Sequence, residues 1–207
     1  MHTKNIITAG KDISQAKKAL ILLHGRGARA QDILSLANHF PVEDFALFAP
    51  QATNYTWYPY SFLAPPAQNE PWLSSALEMI ADLVEEIKNK GIAAENIYFG
   101  GFSQGACLTS EFVCRNAERF GGIFIFTGGL IGDKLTPENY SGDFGGTPVF
   151  INTGNPDAHV PVERVEETVK LMGSMNAKVT VKVYENRPHT ISREEIDLVN
   201  ELIFGKV

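Results

Sequence analysis

The chain has 207 residues, of which 44% are hydrophobic and 20% are charged, as in ordinary globular proteins. Its net charge of −6 at pH 7 argues against nonspecific nucleic-acid binding and docking to anionic membranes, because both require a basic surface. The apolar run ALILL is too short to span a bilayer, and the N-terminal residues lack an apolar stretch of signal-peptide length. The sequence therefore predicts a soluble, cytoplasmic protein with one domain over residues 1–207, without a nucleic-acid partner or stable membrane association.

Short apolar runs along the chain are predicted as β-strands. They cover Ala19–His24, Phe45–Ala49, Asn96–Phe102, Gly122–Phe126, Pro148–Thr153 and Lys178–Tyr184. Most of these runs are almost continuously apolar, as are parallel strands that are covered on both faces. The last run alternates between polar and apolar residues, which indicates an edge strand.

Helical patterns lie between these strands. Apolar residues recur at three- and four-residue steps from Leu73 to Ile87, and Gly91 ends that helix. The segments Val162–Met175 and Ser192–Phe204 are also helical by pattern, and the second opens with the Ser-x-x-Glu spacing of a capping box. The alternation predicts an α/β fold with a mainly parallel sheet, whose functional loops follow the carboxyl ends of the strands.

One irregular segment, Thr53–Trp72, is rich in aromatic residues and proline and has no clear period. A loop of this length in a compact domain is typical of a lid or a pocket wall. We expect Trp57, Tyr58 and Phe62 to wall a substrate pocket; the alternative is that these rings fill the core beneath the loop.

The two cysteines, Cys107 and Cys114, lie on one face of a predicted helix. They are interpreted as buried thiols, because so small a set is unlike a disulfide framework or a metal site.

The segment Gly101-Phe102-Ser103-Gln104-Gly105 fits the pattern G-x-S-x-G. It falls between a predicted strand and a helical stretch, the context in which a tight turn exposes a nucleophilic serine hydroxyl. A phosphate-binding loop is excluded because no Gly-Lys-Ser/Thr follows. A dinucleotide fingerprint is excluded because Phe102 occupies the position of its second glycine.

A nucleophilic serine needs a base, which on this architecture follows the acid in the chain. His159 and His189 are the histidines after Ser103. His189 lies in the loop after the last strand, whereas His159 lies one strand earlier and leaves no suitable loop for an acid before it. The topology therefore favours His189.

Three carboxylates are candidates for the acid that orients the histidine. Asp157 is the first carboxylate beyond Pro148–Thr153, Asp133 follows the preceding strand, and Glu185 shares the loop of the histidine. Asp157 is also interpretable as an ordinary turn residue, since Asn-Pro-Asp is turn chemistry.

The oxyanion of an acyl-transfer reaction needs backbone N–H donors. The residue after the nucleophile, Gln104, supplies one of them. The early turn LLHGRGA, with glycines on both sides of Arg26, offers the second. His24 is interpreted as a hydrogen-bonding residue that shapes this turn.

The segments LLHGRGA, FAPQA, GFSQGA and TGNPDAHVPVERV, with the late histidine, resemble the phospholipase/carboxylesterase family of α/β-hydrolases, which includes acyl-protein thioesterases. The resemblance implies an α/β-hydrolase fold without a large separate lid domain, and a reaction without a cofactor or metal. It also implies that Ser103 is the nucleophile, His189 the base and Asp157 the acid, with oxyanion donors at the Arg26 and Gln104 amides.

The chain departs from the family pattern at two positions. Pro188 replaces the usual glycine before the histidine, and it restricts the backbone of Arg187. Arg26 stands where the family often has an apolar residue. We hypothesise that Arg26 favours substrates with a carboxylate or phosphate near the acyl carbonyl; the alternative is a solvated loop arginine.

These features predict a serine hydrolase that cleaves carboxylic esters or thioesters with small to medium acyl groups. The alternatives are lysophospholipase or acyl-protein thioesterase activity, and a catalytically silent binding module on the same fold. The expected partner is a small-molecule ester or thioester, and a homodimer is compatible with the sequence.

Overall fold

The computed structural model describes residues 1–205, in which a seven-stranded sheet has the order β1-β3-β2-β4-β5-β6-β7. The strands are β1 (Ile6–Gly10), β2 (Lys18–Leu23), β3 (Phe45–Pro50), β4 (Ile97–Phe102), β5 (Gly122–Phe126), β6 (Pro148–Asn155) and β7 (Lys178–Glu185). The helices are α1 (Ala30–Leu34), α2 (Pro66–Asn69), α3 (Trp72–Asn89), α4 (Gln104–Arg115), α5 (Val162–Ser174) and α6 (Arg193–Leu202).

Every neighbouring pair of strands is parallel except β1 and β3, which pair antiparallel. The predicted mainly parallel α/β sheet is therefore confirmed, and each of the six predicted strands is present. Strand β7 lies at the edge of the sheet, as its alternating pattern predicts. Strand β1 is not anticipated by the sequence, because its five residues IITAG are half-buried or exposed and carry no apolar run.

The apolar residues of β2 show how the sheet is covered on both faces. Leu20 and Leu22 pack into the apolar cluster beneath α1 and α6, whereas Ile21 and Leu23 pack into the cluster beneath α3, α4 and α5. All four side chains are fully buried. Each such burial stabilises the fold by about 1.5–3 kcal/mol, which explains why the strand is apolar at successive positions.

Parallel pairing places the carboxyl ends of β2, β4, β5, β6 and β7 at one edge of the sheet, where sites in open α/β folds form. The loops at this edge carry the motifs of the sequence analysis. Within residues 1–205, no helix is both long enough and apolar enough to cross a membrane.

Candidate active site

Ser103 lies in the sharp turn between β4 and α4. Its backbone has φ 55° and ψ −120°, an unfavourable conformation for a residue with a side chain, which costs about 1–3 kcal/mol. The turn is held by hydrogen bonds at both sides of the serine. The Ser103 amide donates to the Phe126 carbonyl at 3.0 Å, and the Ser103 carbonyl accepts from the Cys107 amide at 3.0 Å. These contacts give Ser103 the conformation of a nucleophile elbow.

The glycines on either side of Ser103 are required by close backbone approach. A Cβ atom on Gly105 would lie 2.1 Å from the Leu23 carbonyl oxygen, and one on Gly101 would lie 2.5 Å from the Gly105 carbonyl oxygen. Both distances are well inside van der Waals contact. The motif is therefore explained by packing of α4 against β2 and β4, which brings the helix N-terminus up to the serine.

His189 and Asp157 form a hydrogen-bonded pair beside this turn. His189 Nδ1 lies 2.9 Å from Asp157 Oδ2, and the imidazole ring packs against the Phe102 ring with centroids 5.1 Å apart. His189 Nε2 is buried and has no hydrogen-bond partner among residues 1–205. With the Nδ1 proton directed at the carboxylate, Nε2 is the nitrogen that is free to accept a proton.

The environment of Asp157 keeps its carboxylate ionised. Burial opposes ionisation, but the His189 ring N–H and the backbone amides of His159 and Val160 donate to the carboxylate and together lower its pKa below the ordinary value. The amide bonds measure 2.8 Å and 2.9 Å to Oδ1. An ionised Asp157 can both orient the imidazole and stabilise its protonated form.

The two alternative acids make their contacts away from His189, whereas the alternative base, His159, lies at the edge of the site. Glu185 accepts a hydrogen bond from Asn155 at 3.1 Å. Asp133 is exposed, and its backbone carbonyl accepts a hydrogen bond from the Arg164 guanidinium. His159 is exposed at the mouth of the site. Of the three candidate acids, Asp157 is the one that is hydrogen-bonded to His189, which lines the cleft together with Ser103.

The two predicted oxyanion donors also lie beside Ser103. Gln104 is the first residue of α4, where amides have no intrahelical acceptor. A Cβ atom on Gly25 would lie 3.5 Å from Ser103 Cβ, which places the turn of residues 24–27 against the serine. This oxyanion turn is fixed by the Gly27 amide, which donates to the Tyr55 carbonyl at 2.7 Å. The backbone amides of Arg26 and Gln104 donate to no acceptor within residues 1–205.

The side chains of the same two residues bind one segment, the wall loop (residues 56–60). Gln104 Oε1 accepts from the Trp57 amide at 2.9 Å, and Gln104 Nε2 donates to the Tyr58 carbonyl at 2.8 Å. The Arg26 guanidinium donates to Thr56 Oγ1, the Pro59 carbonyl and the Tyr60 carbonyl at 2.8–3.0 Å. The wall loop is therefore attached directly to the residues that carry the candidate oxyanion donors.

Ser103 opens into a cleft of about 850 Å³. Tyr58 and Phe62 line it, as do Arg26, Gln104, His159 and His189. Apolar side chains of Leu63, Phe102 and Val160 complete much of the wall. The cleft thus combines an apolar surface with the polar groups of the turn, which is typical of a small-molecule site.

Trp57 does not line the cleft, so its predicted place in the pocket wall is corrected. Its side chain is fully buried, and Nε1 donates to the His24 carbonyl at 2.8 Å. The ring packs between His24 and His2, with centroids 4.9 Å and 5.6 Å away. Trp57 therefore fills the core beneath the loop and supports the oxyanion turn from behind.

His24 shapes the oxyanion turn through both ring nitrogens. Nδ1 donates to the Gly25 carbonyl at 2.8 Å, and Nε2 accepts from the Ala52 amide at 3.1 Å. His2, which no sequence signal singled out, holds the other side of the segment. Its Nε2 donates to the Trp57 carbonyl at 2.9 Å, and its Nδ1 accepts from the Thr53 amide at 3.2 Å.

Cys107 also reaches the cleft, but its thiol is not activated. Burial raises its pKa to about 12, so the sulfur stays protonated near neutral pH. Cys107 and Cys114 are both free and buried, which confirms their interpretation as buried thiols. Among residues 1–205, no group of three or more histidine, cysteine or acidic side chains is arranged to hold a metal ion.

Nearly the whole chain matches one protein family, because residues 3–204 fit the sequence profile described as Phospholipase/Carboxylesterase. The chain belongs to the phospholipase/carboxylesterase family. The resemblance carried by the GFSQGA and LLHGRGA segments is confirmed.

Individual relatives agree with this assignment. A crystal structure of a phospholipase/carboxylesterase from Dyadobacter fermentans DSM 18053 has a TM-score of 0.97 and 58% identity, covering 98% of this chain and 97% of that chain. The acyl-protein thioesterase 1 of Kluyveromyces lactis is 28% identical over 222 residues, covering 96% of each chain. The Bacillus cereus carboxylesterase structure has a TM-score of 0.77 at 23% identity, covering 96% and 92%, and supports the fold alone. The predicted α/β-hydrolase fold is thereby confirmed.

The departure at Pro188 from the phospholipase/carboxylesterase pattern leaves the histidine in contact with Asp157. A buried ion pair underlies the histidine loop (residues 186–191): the carboxylate of Glu195, fully buried on α6, binds the Arg187 guanidinium and Asn152 Nδ2. The same carboxylate accepts from the Ser192 amide at 2.5 Å. The predicted capping box is therefore present, and it has a second role that the sequence pattern does not reveal.

His159 is a second neighbour of His189, and its place in the cleft wall is not predicted by the sequence pattern. The two imidazole rings meet edge to face, with centroids 5.3 Å apart and an interplanar angle of 84°. His159 also lines the cleft. The signal that could have placed His159 there is its position two residues after Asp157, because a loop whose aspartate contacts His189 must run beside that histidine.

Proposed function

We propose that the chain is a serine hydrolase that cleaves carboxylic esters or thioesters through an acyl-enzyme at Ser103. The observation that carries the proposal is the strained Ser103 turn beside the hydrogen-bonded His189–Asp157 pair, on one cleft. Membership of the phospholipase/carboxylesterase family supports the same reaction class.

In the first half of the reaction, Ser103 Oγ attacks the acyl carbon while His189 Nε2 takes the hydroxyl proton. Asp157 holds the imidazole in the tautomer with Nδ1 protonated and stabilises the imidazolium that forms. The Arg26 and Gln104 amides donate to the oxyanion of the tetrahedral intermediate. His189 then gives its proton to the leaving alcohol or thiol, and the acyl group remains on Ser103.

In the second half, a water molecule replaces the leaving group. His189 Nε2 takes one of its protons as the water oxygen attacks the acyl carbon, and the same two amides bind the new oxyanion. Collapse of this intermediate returns the proton to Ser103 Oγ and releases the carboxylic acid. The His189 imidazole therefore accepts and donates the proton in both halves of the reaction, and the proposed steps use no metal or cofactor.

The cleft supports acyl groups of small to medium size, because a volume of about 850 Å³ is shared between the acyl and leaving groups. A thioester substrate fits the same mechanism, since the thiol is a good leaving group. The relative named acyl-protein thioesterase 1 makes thioester cleavage the second candidate activity.

A fluorophosphonate probe tests the proposal, because it reacts with activated serines. We expect stoichiometric labelling of the wild type and none of Ser103→Ala, with kcat/KM on an activated short-chain ester lowered at least about 10⁴-fold. The control is Ser61→Ala, since Ser61 is another serine that lines the cleft. A folded wild-type protein without labelling would support the silent binding module instead.

The acyl preference is tested on a matched panel of esters, thioesters and lysophospholipids of graded chain length. We expect highest kcat/KM with short to medium acyl chains. Turnover confined to long-chain lysophospholipids would overturn the proposed size of the acyl group.

A further inference from the structure

The Arg26 guanidinium has a fixed position at the cleft. Nη1 donates to Thr56 Oγ1 at 2.8 Å and to the Pro59 carbonyl at 3.0 Å, while Nη2 donates to the Tyr60 carbonyl at 2.8 Å. The group also lies over the Tyr58 ring, with Cζ 6.0 Å from the ring centroid. Four contacts with the wall loop thus hold a side chain that the sequence alone would allow to be freely solvated.

These contacts leave the positive charge of Arg26 uncompensated. All three acceptors are neutral, and among residues 1–205 no carboxylate lies within ion-pair distance of the guanidinium. Three of the five guanidinium N–H groups are used. The remaining two are on Nε and Nη2, and two N–H groups on neighbouring nitrogens are what arginine uses to bind a carboxylate.

The cleft is electrostatically unlike the rest of the protein. The chain has a net charge of −6, yet among the described residues that line the cleft none is aspartate or glutamate. Arg26 is the permanent cation in that lining, and His159 and His189 are its other basic side chains. A charge in a cleft with low-dielectric walls acts more strongly on a ligand than the same charge on an open surface.

The position of Arg26 also relates a bound anionic group to the carbonyl of the substrate. In the proposed function, the backbone N–H of Arg26 binds the oxyanion formed from the substrate carbonyl. The guanidinium belongs to the same residue and extends along the wall loop that borders the cleft. Because Arg26 and Ser103 line the same cleft, one substrate molecule can contact the guanidinium and present its carbonyl to Ser103.

We propose that the substrate carries a carboxylate close to its ester or thioester carbonyl, and that the Arg26 guanidinium binds this carboxylate. The substrate class is then a half-ester or half-thioester of a dicarboxylic acid, or an ester of a hydroxy acid. The inference rests on the proposed function, since it uses the oxyanion role of the Arg26 amide.

The test compares two esters that differ only in charge. The 4-nitrophenyl monoester of glutaric acid carries a free carboxylate, and the corresponding ester of glutaramic acid carries a neutral carboxamide of nearly the same shape. We expect the wild type to prefer the carboxylate ester by about ten-fold in kcat/KM at low salt. The preference should decrease as ionic strength rises, because Arg26 is exposed.

Variants of Arg26 separate charge recognition from support of the wall loop. Arg26→Gln should abolish the preference, and Arg26→Lys should retain part of it. Loss of the wall-loop bonds lowers kcat/KM for both esters, so the ratio between them reports the charge alone. The matched control is Arg119→Gln, which changes the net charge equally at an exposed position that does not line the cleft; it should keep the wild-type ratio.

Acetyl esters of glycolic acid and glycolamide show which part of the substrate carries the carboxylate. A preference confined to the glutaryl pair places it on the acyl group, and one confined to the glycolyl pair places it on the leaving group. Equal hydrolysis of charged and neutral esters, or a ratio unchanged in Arg26→Gln, would overturn this inference while leaving the proposed function intact. Absence of turnover together with an unlabelled Ser103 would overturn both.

Discussion

At the residue scale, Asp157 uses its two carboxylate oxygens for different contacts. Oδ1 accepts from the amides of His159 and Val160, and Oδ2 accepts from His189. An asparagine can keep the first contacts through its carbonyl oxygen. Its NH₂ group would then face His189 Nδ1 and force the opposite tautomer, with the proton on Nε2.

We therefore expect Asp157→Asn to lower kcat by about 10⁴-fold with little change in fold, because the imidazole could no longer accept the serine proton. The measurement is kcat on an activated ester, together with the urea midpoint of unfolding. Asp133→Asn is the matched control, since Asp133 is one of the alternative acids in the sequence; this variant should retain wild-type activity. Equal losses in both variants would remove Asp157 from its proposed role.

The residue scale also shows what the sequence could and could not reveal. Ser103 and His189 could be predicted as candidate site residues, because a local pattern marks the serine and the order of elements along the chain marks the histidine. Whether an aromatic side chain points into the cleft or beneath the loop is decided by a distant partner. For Trp57 that partner is the His24 carbonyl, 33 residues away, and no local pattern records it.

At the element scale, helix α6 supports the histidine loop through Glu195. The Arg187–Glu195 pair is nearly buried, with side-chain exposures of 13% and 0%, whereas the Arg193–Asp197 pair on the same helix has exposures of 73% and 57%. Breaking a buried pair leaves an uncompensated charge and costs about 3 kcal/mol or more, while an exposed pair contributes about 0.5 kcal/mol.

We expect Glu195→Gln to destabilise the protein by about 3 kcal/mol and to lower kcat about ten-fold with KM nearly unchanged, because Arg187 no longer fixes the loop that presents His189. Urea unfolding and steady-state kinetics check the two effects. Asp197→Asn on the same helix should change neither quantity appreciably. A Glu195→Gln variant with wild-type kcat would show that the histidine loop does not depend on this pair.

The elements themselves were largely predictable because their periods are strong. The helix from Trp72 to Asn89 and the parallel strands follow directly from apolar spacing. The second role of Glu195 was not predictable, since the capping-box spacing explains the residue completely at the local level. Its burial arises only when the histidine loop folds across α6.

At the scale of the whole molecule, the stability should depend on pH through the buried His24 and the half-buried His2. Burial lowers the pKa of His24 from its ordinary value of 6.5, although the bond to the Gly25 carbonyl partly offsets this effect. The pKa of His2 is lowered mainly for the same reason, which is the loss of solvent around the ring. Both rings use one nitrogen as a donor and the other as an acceptor, so the folded protein requires them neutral.

Because the unfolded chain binds protons on these histidines more readily than the folded chain, the free energy of unfolding should fall as pH decreases from 6.5 toward the lowered pKa values. Their contribution is fully present above pH 6.5 and lost below it. Unfolding in urea between pH 5 and 8 measures the slope. His24→Asn should flatten this slope, because asparagine does not titrate.

The matched control for this measurement is His39→Asn, which replaces an exposed histidine whose side chain supports no part of the site. This variant should keep a slope close to that of the wild type. A slope in His24→Asn as steep as in the wild type would show that His24 is not the group responsible.

The bonds from Arg26 and Gln104 to the wall loop have a consequence for engineering this scaffold. A change that moves the backbone at Tyr58 or Tyr60 also displaces Arg26 and Gln104, the proposed oxyanion donors, so we expect altered selectivity there to lower turnover for every substrate. Phe62 and Leu63 line the same cleft with apolar side chains that make none of these bonds. Libraries designed for new acyl groups should therefore vary these two positions first and leave the backbone of residues 56–60 intact.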